Sequence, residues 1–289
     1  MRKRNGAPEG AARPVEDPEH LDPAMPWDRL TRRSFLTAAA ALGLLPAAGP
    51  AFGDDDLISF RNPKPFSFQL LADHARRMAM QPYIAPRSGD PEVLDQIDFD
   101  AHWKIKYRPE ATLKVADGKA PVRLFHLGRY FQLPVGIHVV DGGKSRQLVY
   151  DPAVFDMPAD SPAQKLPTDI GYAGLRVMGP DEKSDWLAFL GAAYFRSSGE
   201  LDQFGLSARA LAIDVAMPTP EEFPRFTDYF LERSTTPGRE LVITCLIDSP
   251  RITGVFRMDV GKDGPVVMDI DSRFFARDRI DRVGLVALT

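Results

Sequence analysis

Leu241-Val242-Ile243-Thr244-Cys245-Leu246-Ile247 is followed by Asp248-Ser249-Pro250 and then by Thr253-Gly254-Val255-Phe256-Arg257-Met258-Asp259-Val260. Gly261-Lys262-Asp263-Gly264 comes next, and Val266-Val267-Met268-Asp269-Ile270 closes the series. Three runs rich in β-branched and apolar residues are cut by turn formers. Proline presets φ, glycine accepts positive φ, and aspartate and serine bond their own backbone. Strands joined by such short turns pair antiparallel, because a parallel pair needs a long crossover. The stretch predicts an antiparallel sheet.

Upstream segments extend the pattern. Val122–Phe125 and Val135–Val140 read as strands, and Asp141-Gly142-Gly143 supplies a hairpin turn after which Gln147–Tyr150 resumes as a strand. Phe68, Leu71, Ala75 and Met78 recur at helical spacing and Pro82 ends the run, so a helix is expected over 67–80. Thr219-Pro220-Glu221-Glu222 has the shape of a capping box with proline at the first helical position. A short helix is expected there, limited by Pro224 or restarting near Arg225–Leu231. No repeat of 20–50 residues is visible. The expected fold is mainly β, an antiparallel β-sandwich with a few short helices.

Composition narrows the function classes. The 289 residues are 44% hydrophobic and 26% charged, near the globular average, which argues against wholesale disorder and coiled coil. A single cysteine rules out an intramolecular disulfide framework and multi-thiolate metal sites. Thirty-six basic against 40 acidic side chains lack the electrostatic footprint of a nucleic-acid binder. The five histidines show no H-E-x-x-H or other paired ligand spacing, and there is neither G-x-S-x-G nor a phosphate-cradling loop. No metal, redox cofactor or other prosthetic group is expected. Cys245, inside an apolar run, reads as a buried thiol rather than a nucleophile.

Residues 1–53 differ from the rest. Arg32-Arg33 precedes Phe35-Leu36 and the alanine-rich run Ala38–Ala48, with small residues to Gly53 and then Asp54-Asp55-Asp56. The order basic, apolar, small, acidic resembles a twin-arginine export signal. The apolar stretch of about 14 residues is shorter than the roughly 20 that span a bilayer, and no later run reaches that length. A signal region over 1–53 and a periplasmic domain over 54–289 are expected.

The densest chemistry lies between Asp169 and Asp214. Asp169-Ile170-Gly171-Tyr172-Ala173-Gly174-Leu175-Arg176, Phe189-Leu190-Gly191-Ala192-Ala193-Tyr194-Phe195-Arg196 and Phe204-Gly205-Leu206-Ser207-Ala208-Arg209 each set aromatics and an arginine beside small residues. Aromatic faces stack on the apolar face of a sugar ring, and arginine forks bond its hydroxyls. The same composition also suits a strand's core and rim, so by itself it marks no more than a possible carbohydrate groove.

The order of these motifs, followed by Glu221-Glu222-Phe223-Pro224-Arg225-Phe226, resembles the periplasmic glucan biosynthesis proteins (OpgG/OpgD type, also called MdoG/MdoD). Phe125-His126-Leu127-Gly128 and Arg282-Val283-Gly284-Leu285-Val286-Ala287 fit the same pattern. The resemblance covers about residues 64–289, and the twin-arginine leader points to the OpgD-like branch. It implies a large supersandwich of galactose-mutarotase type with a groove, followed in the family by an immunoglobulin-like domain. It also implies a β-1,2-linked glucan as partner, an inner-membrane glucan synthase as possible second partner, and inverting hydrolysis of β-1,2-glucan in full-length relatives. A non-catalytic glucan-binding or shaping factor is the alternative reading.

Family members continue past the position of Thr289, and their catalytic acids match nothing in this chain. The expectation is an incomplete sandwich with no catalytic residue of its own. Candidate glucan-facing residues are Asp169, Tyr172, Arg176, Tyr194, Arg196 and Arg209, with His126 a weaker one that also reads as a hydrogen-bonded structural histidine. For Asp202, Asp214, Asp248, Asp263, Asp269 and Asp271 a turn or surface role is the ordinary one.

Overall fold

Ser67 caps a helix by accepting a hydrogen bond from the Leu70 amide at 3.1 Å, and the helix, α1 (Phe68–Ala79), runs where the apolar spacing places it. The computed structural model describes residues 57–288. The expected signal segment therefore lies outside the described residues. Two shorter helices follow, α2 (Pro91–Leu94) and α3 (Phe99–Trp103), capped by Asp90 and Asp98.

The strands, in chain order, are β1 (Lys64–Pro65), β2 (Lys106–Tyr107), β3 (Leu113–Val115), β4 (Ala120–Phe125), β5 (Gly136–Asp141), β6 (Lys144–Gln147), β7 (Phe155–Asp156) and β8 (Gly174–Met178). Then come β9 (Asp185–Leu190), β10 (Tyr194–Ser198), β11 (Phe204–Ile213), β12 (Arg225–Arg233), β13 (Leu241–Asp248), β14 (Ile252–Lys262), β15 (Val266–Ala276) and β16 (Val283–Leu288). Sheet I has the order β1-β6-β5-β12-β13-β14-β15 and sheet II the order β16-β11-β10-β9-β8-β4-β3. β2 and β7 form a separate pair. The largest of three apolar clusters takes residues from both sheets, including Leu124, Leu175, Phe189 and Phe195 from sheet II and Phe226, Tyr229, Ile243 and Phe256 from sheet I. This is a β-sandwich, as the sequence predicts.

The run 241–270 forms β13, β14 and the first half of β15 in continuous antiparallel register. Cys245 is fully buried in β13, opposite Phe256. Three local expectations need correction. The strand after the Asp141 turn starts at Lys144 rather than Gln147, because Gly142 and Gly143 both take positive φ and close a two-residue turn at once. β5 and β12 pair in parallel, the one parallel pair among the named strands described. The long connection through sheet II permits it.

The segment 219–231 is not helical. Glu222 bridges to Ile213, and Arg225–Arg233 is a central strand. The carboxylate of Glu222, instead of capping a helix, accepts from Ser249 Oγ at 2.5 Å, the Arg251 amide at 3.0 Å and Arg251 Nε at 2.6 Å. Asp214 holds the other side of that guanidinium at 2.6 Å. Tertiary pairing of this kind overrides a local cap signal. A bulge between Phe226 and Asp228 then sets Phe226, Tyr229 and Leu231 into the core, while Phe230 packs beneath α1.

Candidate functional site

Side chains alternate across a strand, so each row of partners in sheet II belongs to one face. Leu124, Leu175, Phe189, Phe195 and Ala208 are successive partners and form part of the core. The next row is Arg123, Arg176, Ala188, Arg196 and Ser207, on the face turned away from sheet I. Two arginines thus flank a methyl-bearing floor.

A cleft of about 570 Å³ lies over this row. Its floor includes Arg176, Ala188, Tyr194, Arg196 and Ser207, and its opposite wall comes from α3, β2 and the turn 128–131. That wall is aromatic. Phe99 and Trp103, one helical turn apart on α3, are each 68% exposed and stack with centroids 6.4 Å apart. Tyr130 is 66% exposed, and the Lys106 ammonium sits 3.9 Å from the Trp103 ring centroid. Together they leave a large aromatic surface open to solvent along one wall of the cleft. Among the described residues that line the cleft there is no aspartate or glutamate.

The wall is held in place by glycine and histidine. A Cβ on Gly128 would lie 3.0 Å from the His102 ring and 3.2 Å from the Ile97 carbonyl oxygen, so the closing glycine of Phe125-His126-Leu127-Gly128 lets the turn seat against α3. His102 Nε2–H donates to the His126 carbonyl at 2.8 Å, and the Arg129 amide donates to the Ile97 carbonyl at 2.9 Å.

The predicted residues divide into three groups. Arg176, Tyr194, Arg196 and His126 all line the cleft. Arg176 lies 5.4 Å over the Phe125 ring and 3.9 Å from Asp185; burial draws its pKa down, against the pull of that carboxylate. Arg196 lies 4.8 Å over Phe204. His126 is 2% exposed: Nδ1–H donates to the Leu127 carbonyl at 2.6 Å and Nε2 accepts from the Tyr150 hydroxyl at 3.1 Å, roles assigned from these partners. Burial lowers its pKa to about 4, so the ring is neutral near pH 7. It supports the wall as a structural histidine.

Tyr172 and Arg209 sit beside the cleft rather than in its lining. Tyr172 is buried, donates to the Val149 carbonyl at 3.2 Å and packs 5.0 Å from Tyr150, so it backs His126 from below. Arg209 is clamped between the rings of Tyr194 at 5.1 Å and Phe223 at 5.3 Å and is paired with Glu221, which fixes Tyr194 from behind. Asp169 is exposed in the turn before β8, apart from the cleft lining. The same motif earns its glycines: a Cβ on Gly174 would lie 2.1 Å from the Phe189 carbonyl oxygen.

Sequence reasoning missed the aromatic wall. Its signal was Phe99 and Trp103 four residues apart behind the helix-capping Asp98, too short a segment for periodicity to register. Among the described residues no three His, Cys, Asp or Glu side chains converge as a metal-ligand group, and no helix is long and apolar enough to cross a membrane.

Comparison with known proteins adds a second line of observation. The family described as "Periplasmic glucan biosynthesis protein, MdoG" matches residues 66–289. Glucans biosynthesis protein D 2 of Ralstonia nicotianae is 44% identical over 277 residues, covering 89% of this chain and 50% of that protein. Glucans biosynthesis protein D of Xanthomonas oryzae pv. oryzae is 40% identical over 266 residues, and that of Xylella fastidiosa 38% over 268, with the same coverage. The chain spans about half the length of the curated relatives it matches.

Proposed function

Because the chain belongs to the periplasmic glucan biosynthesis protein family, MdoG, we propose that its cleft binds β-1,2-linked glucan in the periplasm. The observation that carries the reading is the opposition of the Arg176–Ala188–Arg196 row to the exposed rings of Phe99, Trp103 and Tyr130. A glucosyl ring offers an apolar face for stacking and a rim of hydroxyls for guanidinium donors. Ala188 leaves the floor shallow enough for a ring to lie between the two arginines. Export on the twin-arginine route is part of the proposal and rests on Arg32-Arg33 and the apolar run after it.

Binding, rather than cleavage, is what these residues support. Inverting hydrolysis of a glycoside needs an acid and a base carboxyl about 6.5–9.5 Å apart. The described lining of the cleft supplies neither. We assign this chain the role of a glucan-holding surface that presents the polymer to other machinery, either a membrane glucan synthase or carboxyls outside these residues. Calorimetric titration with linear β-1,2-glucan oligosaccharides tests it: saturable binding without release of reducing sugar is expected. Absence of binding by a folded sample refutes the reading. Turnover by this chain refutes the binding-only role.

A further inference from the structure

Sheet I carries a second, smaller cavity on the face under α1, of about 220 Å³. That is the liquid volume of about seven waters, room for a small molecule and not for a polymer. Its base is aromatic: the rings of Phe66, Phe230 and His138 stack in a column with centroid spacings of 4.5 and 4.3 Å. Its polar lining comes from Arg61, Asn62, Lys64, His74, His138, Ser145 and Gln147.

Two features distinguish this lining. It contains no carboxylate, although the chain as a whole is acidic. The side chains of Arg61, Asn62, Lys64, His74 and Gln147 make no hydrogen bond or salt bridge within the described residues. Arg61, Asn62 and Lys64 are exposed at the cavity's mouth and His74 and Gln147 are half-buried, so a ligand entering here exchanges their water for its own oxygens.

His138, by contrast, is anchored. Its Nε2–H donates to Asp228 Oδ1 at 3.0 Å, and the other carboxylate oxygen accepts from Thr227 Oγ at 2.9 Å. A Cβ at Gly136 would lie 2.2 Å from that Asp228 oxygen, so the pair exists only because glycine stands there. Asp228 is thus engaged behind the cavity, Asp248, which also acts on His74, is paired with Arg277, and the mouth keeps Arg61 and Lys64, unpaired among the described residues. A cavity lined by one sign of charge with low-dielectric walls concentrates ligands of the opposite sign.

We propose that this cavity binds a small organic oxyanion, a carboxylate or a phosphate ester, at a site separate from the glucan cleft. Arg61 and Lys64 face the charge, Asn62 and Gln147 serve neutral oxygens, and the Phe66–Phe230–His138 column forms the floor.

The test is an NMR titration of the full chain, following the imidazole resonances of His74 and His138. Inorganic phosphate, glucose 6-phosphate, glucuronate and neutral glucose are added in turn. Saturable shifts with at least one anion and none with glucose are expected; whether the phosphates or glucuronate bind more tightly identifies the oxyanion. Arg61→Ala and Lys64→Ala, both at exposed positions, are each expected to weaken the anion about tenfold without changing the thermal midpoint. The proposal is overturned by no shift with any anion up to about 10 mM, by equal binding of glucose, or by undiminished binding in both variants. Because β-1,2-glucan affinity is measured separately, failure here leaves the cleft assignment standing.

Discussion

Arg176 on β8 and Arg196 on β10 stand on either side of Ala188, in one row across three adjacent strands, and both line the cleft beneath the Phe99–Trp103 pair. Ala188 is therefore the position where bulk closes the floor. Ala188→Phe is expected to abolish glucan binding while leaving the far-ultraviolet circular dichroism unchanged. Retained affinity in this variant places the glucan elsewhere.

Trp103 and Arg196 are expected to contribute from opposite walls. Trp103→Ala removes an exposed ring, so affinity for β-1,2-glucan should fall about tenfold with little change in thermal midpoint. Arg196→Ala should do the same, and the double variant should lose more than either single one. Titration calorimetry measures all three; wild-type affinity in Trp103→Ala contradicts the aromatic-wall assignment.

His126 makes stability depend on pH in a stated direction. Its folded pKa of about 4 lies below the ordinary 6.5, so between these values the unfolded state binds a proton that the folded state refuses. The neutral ring's contribution is complete above pH 6.5 and is lost as pH falls toward 4, roughly 3 kcal/mol in all at this degree of burial. His126→Gln should flatten this part of the profile. Urea midpoints at pH 7 and pH 4.5 that change equally in both proteins refute the account.

Gly174 and Gly205 give a matched pair of tests on sheet II. An alanine at 174 drives its Cβ into the Phe189 carbonyl, whereas nothing lies within 4 Å of the corresponding atom at 205. Gly174→Ala is expected to cost about 2–4 kcal/mol through broken β8–β9 pairing, and Gly205→Ala less than about 1. Equal denaturation midpoints for the two variants would show that the sheet yields at Gly174.

Cys245 should be silent in the native state. Burial pushes its thiol pKa well up, and its side chain is enclosed in the core. Modification by a thiol-specific chromogenic reagent is expected only at the rate of unfolding. Rapid labelling at neutral pH, without denaturant, shows that β13 opens independently.

The legible parts of this molecule are those governed by near neighbours. The β-branched and apolar runs at 241–270, the helical spacing at 68–79 and the turn residues between strands act over a few residues, and the structure keeps them. The segment 219–231 shows where such reading ends. Its cap signal is genuine in pattern, but Glu222 reaches Ser249 and Arg251, distant in sequence, and those partners outweigh a local helix.

The candidate site splits along the same line. Arg176, Tyr194 and Arg196 stand out as arginine and aromatic residues set among small ones, and that composition is local. Their placement in one cleft depends on strand register, since a shift by one residue would send every one of them to the core face. The aromatic wall opposite them depends on Gly128 seating against α3 and on the hydrogen bond from His102 to the His126 backbone. Local chemistry settled the strands of 241–270, the helix over 68–79 and where the thiol hides. Long-range pairing decided which non-consecutive strands adjoin, among them β4–β8, β11–β16 and the parallel β5–β12 pair, and which side chains share a cleft. Both of those outcomes rest on contacts between residues far apart in the chain, and no local pattern records them.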